Sequence, residues 1–86
     1  MKDEYSIAFN EAVSDFLIDL RQKSRRTYSD VAYFLNLKPG TYYSYENGTR
    51  DIPIKVLKDV CRFHNVDFYE SFRSIDKAAE AKLKKR

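Results

Sequence analysis

Residues 27–48 read TYSDVAYFLNLKPGTYYSYENG, and this stretch decides the fold. Thr27 followed by Asp30 is a capping-box-like start, since a hydroxyl and a carboxylate three residues apart can satisfy each other's backbone N–H groups. The spacing predicts a short helix carrying Val31, Ala32, Phe34 and Leu35, stopped at Asn36, a residue that tolerates the left-handed conformation. Pro39 suits the first position of a second short helix, whose later turns hold Tyr42, Tyr45 and Glu46 and which Gly48 closes. Ala32 supplies the small side chain that two closely crossing helices require.

Working outward, Phe9, Ala12, Val13, Phe16, Leu17 and Leu20 recur at helical spacing and predict a helix over about 6–23. Residues 49–52 read as a loop. Pro53 opens a fourth helix with Val56, Leu57, Val60, Cys61 and His64 on its inner side, ending at Asn65. Asp67 and Glu70 predict the start of a short fifth helix with Phe68 and Phe72 facing inward and Tyr69 open to either side. Residues 75–86 contain Ala78, Ala79 and Ala81 but only Ile75 and Leu83 as large apolar anchors. The expectation is therefore a domain over 1–74 followed by a basic tail, helical or disordered.

The chain has 86 residues, two Gly, two Pro, six Phe and seven Tyr, which fits one small all-α domain better than a turn-rich β-fold. A single Cys and a single His exclude an internal disulfide and a zinc staple, so stability has to come from packing. No apolar run is long enough for export or a membrane span, and a cytoplasmic setting is expected. No Ser/His/Asp set, carboxylate pair or Gly-rich phosphate loop can be assembled, so neither an enzyme nor a cofactor is expected. Cys61 and His64 read as core or boundary residues. The net charge of +3 is modest but uneven. Arg21, Lys23, Arg25 and Arg26 form one basic cluster, and Lys77, Lys82, Lys84, Lys85 and Arg86 form another.

A short helix, a three-residue Leu35-Asn36-Leu37 connection and a second short helix have helix-turn-helix spacing. With Arg21 in helix one, Val31-Ala32 in helix two, Glu46-Asn47-Gly48 ending helix three, and Asn65-Val66-Asp67-Phe68 before helix five, the chain resembles the Cro/repressor (XRE-type) DNA-binding family. The resemblance covers roughly Val13 to Phe72. It implies a five-helix, lambda-repressor-like fold and a sequence-specific transcriptional regulator of bacterial or phage type. Such a regulator binds double-stranded DNA, usually as a homodimer, with helix three (about 39–47) in the major groove.

Carried onto this sequence, the resemblance implies an Arg21–Glu46 ion pair that orients helix three. It makes Lys38, Pro39, Gly40, Thr41, Tyr43 and Ser44 the DNA-facing side, with Tyr42 and Tyr45 turned inward. Tyr43 follows Tyr42 by about 100° around the helix and so points away from the core. Thr27, Tyr28, Asn47, Arg50 and Lys55 fall where the family contacts phosphates, Tyr28 standing where many members have Gln. Phe68, Tyr69 and Phe72 are the candidate dimer interface. The sequence departs from strong base readers at Pro39, Gly40 and Ser44, which lack the forked donors and acceptors that read adenine or guanine. This departure keeps a second reading open, a module of the same fold that binds another regulatory protein, as an antirepressor or modulator does. An exposed set of Tyr28, Tyr43 and Tyr69 is what that reading expects.

Overall fold

The computed structural model describes residues 3–85; Met1, Lys2 and the expected tail residue Arg86 lie outside the described residues. Five helices follow one another: α1 (Glu4–Lys23), α2 (Tyr28–Phe34), α3 (Pro39–Glu46), α4 (Ile54–Phe63) and α5 (Phe68–Lys84). No strand occurs among the described residues, so the fold is all-α.

Local chemistry sets the boundaries. Asp3 caps α1 by accepting from the Ser6 N–H, and Asp67 caps α5 by accepting from the Glu70 N–H. Thr27 and Asp30 form the reciprocal capping box expected at the start of α2. The first four helices end on one device. Arg25, Asn36, Gly48 and Asn65 all take positive φ. The residue after each donates back to a carbonyl five residues earlier: Arg26 to Arg21, Leu37 to Ala32, Thr49 to Ser44 and Val66 to Cys61. Asn and Gly suit this conformation, whereas Arg25 adopts it at a steric cost of about 1–2 kcal/mol. The device turns the chain sharply and gives the α2–α3 connection its short reach.

The core is built from Ala8, Ala12, Val13 and Leu17 of α1, Val31 and Ala32 of α2, Tyr42 and Tyr45 of α3, Leu57, Val60 and Cys61 of α4, and Ile75 and Ala79 of α5. Burial pushes the Cys61 thiol pKa up, as befits an inert core cysteine. His64 is half-buried against the Phe63 ring, and burial together with Arg26 lowers its pKa. Phe34, one of the apolar residues that α2 carries, is 58% exposed. It stacks on Phe63, and the Arg26 guanidinium lies over both rings.

The largest departure from the sequence reading is the C-terminal segment. The short fifth helix and the expected tail as far as Lys84 are one 17-residue helix lying along α1. Ala79 is fully buried and Ile75 nearly so. A search for large apolar anchors undervalues this contact, because Ala79 of α5 and Ala8 and Ala12 of α1 work by being small and letting the helices approach. Polar ties reinforce it. The Tyr5 hydroxyl donates to Asp76 at 2.6 Å, which pushes the phenol pKa up to about 12, and Lys82 reaches Asp15 at 3.3 Å. Tyr69, by contrast, is 74% exposed, and Phe72, expected to face inward, is also exposed, its ring meeting those of Phe9 and Phe68 at the surface.

Two variants test whether α5 belongs to the cooperative unit. Ile75→Ala is expected to lose about 2–5 kcal/mol in denaturant unfolding, and a chain ending at Ser74 to lose its cooperative transition. A truncated chain that unfolds like the full one would show the segment to be dispensable.

Candidate nucleic-acid interface

The side of α3 that faces outward is fixed by what holds its inner side. Tyr42, Tyr45 and Glu46 are buried, the i, i+3, i+4 set of one helix face. Arg21 Nε donates to Glu46 Oε2 at 2.7 Å, and Arg21 Nη1 donates to the Arg26 carbonyl at 3.1 Å. The exposures are unequal, 21% for the Arg21 side chain and 3% for Glu46. The bond to Glu46 raises the Arg21 pKa further above its already high ordinary value. Burial, and after it the neighbouring Glu46 carboxylate, drives the Tyr42 phenol far above its ordinary value, so it stays neutral.

Ser14 donates to the Glu46 carbonyl, and Asn10 donates to Asp51 at 2.7 Å. Asn10, Ser14, Leu17 and Arg21 recur at i, i+4, i+7 and i+11, so α1 presents a stripe along which three polar side chains hold α3 and the loop after it. Of these, only Arg21 stands out in the sequence reading. The other two carry only a weak signal, two small polar residues one turn apart at helical spacing from Arg21.

The outer side then follows. Lys38, Pro39, Gly40, Tyr43 and Asn47 are exposed, while Thr41 and Ser44 are half-buried. Lys38 is the N-cap of α3 and makes no side-chain cap bond. A Cβ on Gly40 would meet nothing within 4 Å, so nothing inside the protein demands glycine there. The Ser44 hydroxyl donates to the Thr41 carbonyl at 2.6 Å. Asn47 Oδ1 accepts from both the N–H and the hydroxyl of Thr49.

Among the positions expected at phosphates, Tyr28 is brought against α3, its ring 5.0 Å from that of Tyr43 between centroids. Thr27 spends its hydroxyl oxygen on the α2 cap. Arg50 is exposed in the loop after α3, its N–H donating to the Ser44 carbonyl. Lys55 is exposed but bonded to Asp59 one turn on, at 2.8 Å. Phe68, Tyr69 and Phe72 lie apart from this surface on α5, where they line a shallow groove with Ile54, Arg73 and Asp76. No group of His, Cys, Asp and Glu able to hold a metal is present among the described residues. Nor, among them, is any helix long and apolar enough to cross a membrane.

A "Helix-turn-helix" family model matches residues 17–71, more than half of the chain. The chain therefore belongs to the XRE-type helix-turn-helix family, a family of DNA-binding transcription regulators that are typically non-enzymatic. Among solved structures, the clp gene regulator ClgR from Corynebacterium glutamicum matches with a TM-score of 0.78 and 17% identity, over 90% of this chain and 82% of that one. At that identity the likeness is one of fold. A search of the curated proteins found no match.

The unequal exposure of the ion pair makes a directional prediction. Arg21→Ala strands a buried carboxylate and is expected to cost about 3–5 kcal/mol. Glu46→Ala leaves a guanidinium that can turn to water and is expected to cost less, about 1–3 kcal/mol. Equilibrium unfolding of both variants checks this; losses below about 1 kcal/mol in both would be those of a surface pair.

Proposed function

We propose that this protein is a sequence-specific DNA-binding transcription regulator of the bacterial or phage repressor type, which places α3 in the major groove. The observation that carries this reading is the rotation of α3. With Tyr42, Tyr45 and Glu46 locked inward, Lys38, Gly40, Thr41 and Tyr43 form the side free to meet base edges. Gly40 adds no bulk to the approaching surface and is not needed by the protein's own packing. Arg50 and the uncapped start of α3 are suited to phosphate oxygens, as is the hydroxyl of Tyr28; Thr27, Asn47 and Lys55 flank them.

Two copies are expected on paired half-sites about 34–36 Å apart. The groove of Ile54, Phe68, Tyr69 and Phe72 is the surface we assign to their contact. Arg73 and Asp76 on its rim carry opposite charges, an arrangement that can complement itself across a two-fold axis.

The second reading, a module that binds another regulatory protein, is favoured by the exposure of Tyr28, Tyr43 and Tyr69. Only the first two form one patch, since Tyr69 pairs with Phe68 on α5.

Selection from a randomised duplex pool at two salt concentrations separates the readings. The regulator is expected to enrich a palindromic site. Its log affinity should fall by about 0.9 per log unit of salt for each phosphate neutralised, for about four to six phosphates per protomer. Recovery of random sequence, or of nothing, would favour the protein-binding module.

A further inference from the structure

We propose that α3 selects its site through thymine methyl groups, with Tyr43 as the reading side chain and Tyr28 as the residue that positions it. This rests on the DNA-binding reading above and names the class of sequence it takes.

The outer side of α3 has few hydrogen-bonding groups left to offer a base. Bidentate reading of adenine needs the oxygen and the nitrogen of one amide together. Asn47 is the amide side chain at the end of α3, and its oxygen already accepts two bonds from Thr49. The Ser44 proton is committed to the Thr41 carbonyl. Pro39 and Gly40 bring no side-chain donor. Lys38 brings a single ammonium, a point charge without a fork. Forked hydrogen-bond reading is therefore nearly absent from the helix that enters the groove.

What remains is aromatic surface. Tyr43 is 48% exposed and Tyr28 39%, and their rings meet at an interplanar angle of 42°. Tyr28 begins α2, where the Thr27–Asp30 capping box fixes its backbone. It therefore limits the directions the Tyr43 ring can take. In the major groove, the apolar group that distinguishes one base from the other three is the C5 methyl of thymine. A ring held rigidly on the outer side of α3 gains by excluding water from that methyl, and the half-buried Thr41 lies two residues before it.

The experiment uses the full chain and the duplex recovered by selection, resynthesised with deoxyuridine in place of thymidine at one position at a time. Uracil keeps every hydrogen-bonding group of thymine and lacks only the methyl. Each contacted position is expected to bind about three- to five-fold more weakly, the value of one buried methyl. Tyr43→Phe is expected to keep that thymine-to-uracil ratio and Tyr43→Ala to bring it to one. Tyr28→Ala should lower the ratio and Tyr28→Phe restore it, a pattern that a purely structural role for Tyr28 does not produce. Both rings are exposed, so a thermal melt of each variant confirms that the fold is kept. Selected duplexes bound equally well with uracil at every position, or a ratio that survives Tyr43→Ala, would overturn the proposal while leaving DNA binding standing. Failure to retain any duplex would overturn DNA binding and the proposal together.

Discussion

A carboxylate buried as deeply as Glu46 needs a cation within hydrogen-bond reach, and the arrangement of this small protein turns on its meeting Arg21. An eight-residue helix has little stability of its own, so α3 is held where its surroundings hold it. Arg21 grips its last turn through the side chain, Ser14 grips the same residue through its carbonyl, and Tyr42 fills the space beneath. Because Arg21 also bonds the Arg26 carbonyl, the same guanidinium ties the end of α1 to the approach to α2. One side chain thus sets α3 relative to both preceding elements, and through it the side of α3 that is left facing outward.

Much of this was legible in the sequence because the signals were local. Thr27 with Asp30, Asn36, Pro39, Gly48, Asn65 and Asp67 each act within a few residues of themselves, and the helix boundaries they imply fall within two residues of those observed. The inward turn of Tyr42 and Tyr45 was implied by the family resemblance, and once Tyr42 points in, the exposure of Tyr43 follows from helical geometry. The Arg21–Glu46 contact joins residues far apart in the chain, and it was reached only through the family resemblance. The sequence left residues 75–86 open between helix and disorder because their buried anchors include an alanine, whose contribution depends on how closely a distant helix approaches. Arg25 gave no sign of its positive φ, since nothing in an arginine favours it.

The candidate site was legible in outline and not in detail. Which residues face outward is a matter of periodicity, but which of their polar groups are already spent is a matter of tertiary hydrogen bonding. Ser44 and Asn47 look in sequence like polar side chains at the disposal of a ligand, and both are engaged within the protein's own loop and helix. Lys55 reads as a free cation and is held by Asp59. The outer side of α3 is consequently more aromatic in its free groups than its residue types imply, and Tyr28 and Tyr43 supply that character together.

The most direct test of the account is to follow backbone amide chemical shifts of the labelled full chain as a selected duplex is added. The outer side of α3, Lys38 and Gly40 to Ser44, with Thr27, Tyr28 and Arg50, is expected to show the largest changes. Ile54 and Tyr69 should change with the concentration of the protein itself and, less than α3, as two copies meet on the duplex. Changes centred on the α5 groove, with α3 undisturbed, would contradict the assignment of α3 as the recognition element.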